Sequence, residues 1–387
     1  MIFPAADIIA DTPRPTPLFS ATASTSDANV WTSVNGWSAA RVMTSIESEY
    51  AVAKASAVVA DLGPIARYAV RGEDAAAFLS RVTTAPAQRL DPGDSARGLI
   101  LDDRGGVIDL AEVSRLSSDL FLLTTPTAHA RRMKIAARGM AAIADDITEQ
   151  IAVLGVFGPE ASEALSAAGL KMPGDIVAAS GMVRGVETAA RPIQFGALPG
   201  VELIFPKEEA LTVWGRLLRR GKVTPIGLDA LEILRLESGA PRPGVDFIAA
   251  DRARPGGART PLELGLAHLA PLDRGGFNGR RGLRKLALEP KRQLITLSID
   301  DEASMPGAAV FAEGKAVGRI TSCAWSPAIK RVVAFADISA SCAETDYEIA
   351  VPAPADGRVA ARVFETAESA LALDFRRSQS GATDFRL

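Results

Sequence analysis

The side chains from which this 387-residue chain must build chemistry are few: two histidines, two cysteines and a small set of acids in apolar surroundings. His129 and His268 are too few for a multi-histidine metal centre, and a Ser-His-Asp triad would have to be assembled from almost nothing. His268 follows Leu264-Gly265-Leu266-Ala267 and reads as a packed or hydrogen-bonded histidine. His129 sits among Arg131, Arg132 and Lys134 and reads as part of a solvated helix face. Cys323 and Cys342 lack metal-ligand spacing and read as small hydrophobes of a reduced protein. Glu202, in Gly200-Val201-Glu202-Leu203-Ile204-Phe205, is different. A charge in an apolar strand either points outward from a sheet edge or needs a partner to justify burial. Asp102 heads Asp102-Asp103-Arg104-Gly105-Gly106, which also makes a good hairpin turn. Trp31 and Trp37 offer flat apolar walls to a ring ligand, or serve packing.

These residues need elements to hold them. Tyr68-Ala69-Val70-Arg71-Gly72-Glu73-Asp74 runs from a strand into a helix whose apolar positions are Ala75, Phe78, Leu79 and Val82. Val153 to Glu160 repeats the pattern, with Ala161, Ala164, Leu165 and Ala168 on the apolar face. The repetition suggests two related α+β lobes. A helix is expected over 227–238, stopped by Gly239. The Pro-, Gly- and Arg-rich connector 240–259 is either a flexible loop or the wall of a central cavity. Residues 10–30 read as an extended lead-in. From Gln293 six short strands follow: Leu294–Ile299, Ala308–Phe311, Ala316–Thr321, Val332–Ala336, Tyr347–Val351 and Val359–Val363. Their spacing fits a small antiparallel barrel or sandwich. Val317 to Ser326 reads as a strand entering a Thr321-Ser322 turn closed by Pro327.

Bulk properties narrow the function classes. A net charge of −3, with 48% hydrophobic and 23% charged residues, gives no global attraction to nucleic acid or an anionic membrane. No run approaches the ~20 apolar residues of a bilayer span. Met1 to Asp7 has no basic stretch before its apolar run, so no signal peptide is expected, and a cytoplasmic protein is. Neither a GxGxxG fingerprint nor a GxxxxGK[ST] loop occurs.

Several segments carry a resemblance in their order and spacing. They are Thr16-Pro17-Leu18-Phe19, Gly36-Trp37, Asp61-Leu62, Gly105-Gly106-Val107-Ile108-Asp109, Thr260 to Leu266, Gly276 to Arg280, and Val317 to Pro327. Together the chain resembles the folate-dependent aminomethyltransferase family, that of the T-protein of glycine cleavage. The resemblance implies a three-lobed ring: an N-terminal α+β folate-binding lobe (1–150), a second α+β lobe (151–285) and a C-terminal antiparallel β-barrel domain (286–387). It implies tetrahydrofolate in a central channel, with its pterin held by a strand glutamate whose counterpart is Glu202. Trp31 and Trp37 are then candidate pterin walls. Arg292, with Arg280, Arg281, Arg284, Lys285 and Lys291, is a candidate for the folate glutamate tail.

The pattern is also broken. Pro86 stands where the family places an aspartate near the reacting nitrogens, and Leu231 replaces an arginine. Gly63-Pro64-Ile65 replaces Ser-His-Met, and Met43 replaces an aromatic residue. Asp102, where the family tends to have asparagine, is the candidate replacement carboxylate and catalytic residue. A tetrahydrofolate-dependent methyl or aminomethyl transferase, or demethylase, of a small N-, O- or S-substituted donor is the leading expectation. A partner oxidoreductase or carrier subunit is left open. The alternatives are a non-catalytic folate-binding or assembly protein, and a folate-independent lyase or hydrolase using the same cavity.

Overall fold

The computed structural model describes residues 12–170, 179–183, 186–195, 198–286, 290–300, 305–342, 346–350 and 357–366. The N-terminal heptapeptide used to argue against a signal peptide lies outside them.

Two α+β lobes and a barrel are present. The first lobe is a five-stranded antiparallel sheet containing Ser95–Leu101, Val107–Arg115, Leu120–Thr125, Ala66–Arg71 and Ile143–Asp146, in that spatial order. The second has six strands, with Ile151–Phe157 between Leu198–Pro206 and Val58–Asp61. The strand-glycine-helix repeat recurs in the backbone. Gly72 and Gly158 both adopt φ +116, and a Cβ there would come within 2.2 Å of the Ala141 carbonyl oxygen and 2.0 Å of that of Ser56. Only glycine tolerates both the angle and the approach. Helices Ala75–Val82 and Ala161–Ala167 follow, with Phe78, Leu79 and Leu165 fully buried.

All six C-terminal strands exist and close into a barrel in the order Arg292–Ile299, Arg331–Ser339, Lys315–Ser326, Ala309–Ala312, Tyr347–Ala350, Arg358–Val363. One detail differs from expectation. Lys315–Ser326 is a single long strand, and Thr321-Ser322 lies at a register shift within it rather than in a turn. The extra residue lets both hydroxyls reach Asp246, at 3.0 Å for Thr321 and 2.5 Å for Ser322.

Packing crosses the sequence boundaries. Val58–Asp61 belongs to the second lobe's sheet, so a cut at residue 150 follows the chain rather than the packing. The 10–30 segment is likewise more than a lead-in. It holds the helix Phe19–Thr25, whose Leu18 and Ala21 pack with Leu154 and Trp214 of the second lobe. Short, polar FSATAST has little intrinsic helical drive, so this burial is what forms the helix.

Helix Leu228–Ser238 is the hub. Its N-terminal half buries Leu231 and Leu234 with Tyr50 and Val58, and Leu236 is buried with Phe335 of the barrel. Gly239, at φ +77, ends it as expected. Glu49, fully buried, ties this hub to the N-terminal segment. Its Oε1 accepts from the Met43 and Thr44 N–H groups and its Oε2 from Gly227 N–H, each at 2.7 Å. Among the described residues no helix is long and apolar enough to cross a membrane.

Glu49→Ala removes the acceptor of three N–H donors, those of Met43 and Gly227 in buried bonds and that of Thr44 partly exposed, at about 1–3 kcal/mol for each buried one. Urea unfolding should show a loss of about 3–5 kcal/mol, with Glu49→Gln losing less.

Candidate active site

The two sheets meet through a buried ion network. Arg67, on Ala66–Arg71 of the first lobe, donates to one oxygen of Glu202, and Arg191 donates to the other. Arg191 lies directly opposite Glu202 on the neighbouring strand and also pairs with Glu112 of the first lobe. Arg67 and Glu202 are each 1% exposed. Burial by itself would raise the Glu202 pKa. The Arg191 and Arg67 guanidiniums outweigh burial and hold it at about 2, against an ordinary 4.5. Burial lowers the Arg67 pKa, with Glu202 opposing it.

Glu202 is thus buried and partnered, and the partners are protein. The guanidiniums occupy the two oxygens that the pterin donors were expected to take, and Glu202 does not line the cavities described below. A second network fills the space between lobe and barrel. Arg235 pairs with Glu232 and Asp246, each at 2.7 Å, and donates to Ser322 at 3.0 Å.

The other expected site residues fall in separate places. Asp102 turns back on its own hairpin, its Oδ1 accepting from Arg104 N–H at 3.0 Å and Gly106 N–H at 2.7 Å. The geometry is that of the turn, because a short acid beside a Gly-Gly pair satisfies its own loop first. Arg292 is spent within the barrel, donating to the Asp337 carboxylate at 3.1 Å and the Asp337 carbonyl at 2.6 Å. Arg280 likewise staples Leu272 O. Neither is oriented to receive a folate tail. Trp31 packs on Phe19 and donates to Asn29. Trp37 is buried beneath Arg14 and borders a cavity of about 450 Å³ with Asn35 and Thr148. Pro86 lies with His268, Arg89, Arg97 and Arg274 around a cleft of about 410 Å³, and Arg274 anchors that loop through Thr84 O and Ala85 O.

The largest of these cavities, about 920 Å³, lies between the first lobe and the connector. Val82, Ile100 and Leu101 supply apolar surface, and Thr127, His129, Arg131 and Arg132 follow from the segment after strand Leu120–Thr125. Pro243, Ile248 and Arg252 form the opposite wall. The connector is therefore a wall and not a loose loop. Its Ala250 N–H donates to Val107 O, Val107 N–H donates to Arg259 O, and Asp251 pairs with Arg132 at 2.7 Å.

His129 corrects its expected place on a solvated helix face. Its side chain is 9% exposed and its Nε2 lies 2.8 Å from Oδ2 of Asp109, which is fully buried. That oxygen also accepts from the Thr127 N–H at 3.0 Å and hydroxyl at 2.6 Å. The His129 N–H donates to the Tyr68 hydroxyl at 2.5 Å. Pro126 follows the strand's end and the His129 ring folds back onto Asp109, so the arginines that follow His129 do not report its environment. The missed signal was Asp109, an acid inside Val107-Ile108-Asp109-Leu110-Ala111, the same pattern that singled out Glu202.

Residues 18–273 match the family model described as the GCVT N-terminal domain. Residues 292–367 match that of the glycine cleavage T-protein C-terminal barrel domain. The chain belongs to the glycine cleavage T-protein family. A probable aminomethyltransferase of Haloarcula marismortui is 31% identical over 336 residues, covering 83% of this chain and 90% of that protein. An aminomethyltransferase of Deinococcus deserti is 28% identical over 330 residues, covering 82% and 87%. The crystal structure of glycine cleavage system aminomethyltransferase T from Bartonella henselae superposes with a TM-score of 0.82 over 92% of this chain and 98% of that one. At 21% identity the last likeness speaks for the fold. In this T-protein family member, then, the architecture is the family's, while the expected pterin acceptor is closed off by arginines.

A carboxylate whose folded pKa lies below its unfolded value stabilises above the unfolded value and loses that contribution on acidification. For Glu202, 4.5 falling to about 2 corresponds to about 3 kcal/mol, present above pH 4.5 and lost as pH falls toward 2. Urea titrations across that window should show the loss. Glu202→Gln should cost about 3–5 kcal/mol at pH 7 by removing the carboxylate that Arg67 and Arg191 share, and should flatten the acid dependence.

Proposed function

We propose that this chain is a tetrahydrofolate-dependent one-carbon transferase that removes a methyl or aminomethyl group from a small N-, O- or S-substituted donor. Family membership supports one-carbon transfer in general, and the relatives named above are aminomethyltransferases. The observation that carries the reading to a place is the 920 Å³ cavity, with its apolar floor and cationic rim.

The residues fit the group. The volume lies within the 300–1,000 Å³ typical of small-molecule sites. Val82, Ile100, Leu101 and Ile248 suit a planar ring, while Thr127, His129 and Asn278 offer directed hydrogen bonds. Arg131 and Arg252 place positive charge for the carboxylates of a glutamate tail, and Arg132 is already paired to Asp251. When bound, reduced folate supplies the ring nitrogen that accepts the carbon. The low polarity of the floor strengthens the few polar contacts present.

Pro86 favours a donor other than the parent aminomethyl carrier, because the aspartate that resemblance to the family leads one to expect at that position is absent from this chain. It also favours the second reading, a folate-binding protein without turnover, which predicts binding but no methyl loss from any donor. A partner oxidoreductase or carrier subunit would deliver a donor too unstable to diffuse. A cytoplasmic setting goes with this reading, since reduced folates circulate there.

Calorimetry and thermal shift with tetrahydrofolate and 5-methyltetrahydrofolate test the proposal. Folate at 100 times its dissociation constant should stabilise by about 2.7 kcal/mol. Ala249→Trp, which fills the cavity from the connector wall, should weaken binding tenfold or more, about 1.4 kcal/mol. Unchanged affinity in that variant would move the folate site elsewhere.

A further inference from the structure

We propose that His129, oriented by Asp109, is the proton-transfer group of the large cavity. The inference rests on that cavity being the one-carbon site and assigns a residue role within it.

The argument begins with the carboxylate. Asp109 Oδ2 accepts the Thr127 N–H, the Thr127 hydroxyl and His129 Nε2, and Oδ1 accepts the Leu110 N–H at 2.8 Å. An acid so fully supplied with donors is held as a carboxylate, which requires the hydrogen on His129 Nε2. The lone pair of the neutral ring then sits on Nδ1. Among the described residues no hydrogen bond reaches Nδ1. His129 lines the cavity, so the protein presents a basic nitrogen, fixed in tautomer by a buried acid, to a space with no other such group. A histidine serving packing alone would have no need of an acid that accepts four donors behind it. The titratable and charged groups around it are Asp109 and Tyr68 behind, Arg131 and Arg132 beside it, and Asp251 and Arg252 on the connector wall.

The step balances without an oxidant. In methyl transfer from a donor CH₃–X to an N–H nitrogen, an N–C bond forms and the C–X bond breaks, its electron pair leaving with X. Nδ1 takes the nitrogen's proton and returns it to X. His129 ends neutral, ready for the next turn. Asp109 remains ionised and stabilises the imidazolium between the two transfers.

Two histidines make the test direct, because ¹⁵N-labelled histidine gives only two ring systems, and a His268→Gln variant assigns them. Long-range ¹⁵N NMR should find His129 as the Nε2–H tautomer, and adding tetrahydrofolate should move its Nδ1 signal. Calorimetry in buffers of differing ionisation enthalpy supplies the proton count. Accepting a hydrogen bond requires neutral imidazole, so binding at a pH low enough to charge the ring should release protons in the wild type. His129→Asn, which puts a favoured residue at the start of helix Ala130–Ala136, should bind folate more weakly and release no protons per folate bound. Binding heat with a silent Nδ1, or equal proton release in both proteins, would overturn the role of His129 alone. No heat in the wild type would overturn the folate reading and this inference with it.

Discussion

A carboxylate taken out of water between two sheets must be matched by charge, and much of this fold follows from how Glu202 is matched. Its two oxygens are engaged by arginines from different places, Arg67 on the first lobe's sheet and Arg191 on its own. Arg191 reaches on to Glu112, so the chain of charges runs from one sheet to the other and back. Such a network adds less net stability than its contacts suggest, because each ion was desolvated to build it. What it does supply is register. Sliding either sheet by one residue would turn a buried ion toward a hydrophobic neighbour, so the relative position of the lobes is specified by charge as well as by packing.

The same logic places the reactive part of the molecule elsewhere. With the Glu202 region closed by guanidiniums and the barrel contact closed by Arg235, Asp246 and Ser322, the largest of the described cavities lies between the first lobe and the connector. Asp109 is another buried acid, and its partner set is neutral: two groups of Thr127, one backbone N–H and a histidine. Glu202 is surrounded by permanent cations and cannot exchange a proton near neutral pH. Asp109 is joined to the one side-chain type that ordinarily does. One acid locks the lobes and the other equips a cavity.

Much of the architecture was legible in the chain. The six C-terminal strands were readable because alternation and turn residues punctuate them, and the repeat was readable because Gly72 and Gly158 perform the same backbone task. The helix Leu228–Ser238 announced itself by its apolar period and its terminal glycine. The helix Phe19–Thr25 did not, since its stability comes from burying Leu18 and Ala21 against residues more than a hundred positions away. Thr321-Ser322 was misjudged for a related reason: a bulge and a turn use the same residues, and only the partner strand tells them apart.

By itself the sequence determined the family, the lobes and the rarity of proton-transfer groups, since these depend on composition, period and motif order. It also singled out Glu202, though not Asp109, as an acid that burial would oblige to find partners. Which partner each acid found was decided by the tertiary structure alone. Arg67 reached Glu202 across 135 positions, Arg191 reached it across a hairpin, and His129 folded back onto Asp109 from beyond the end of the next strand, because a side chain's charge environment is a property of space and not of its neighbours along the chain.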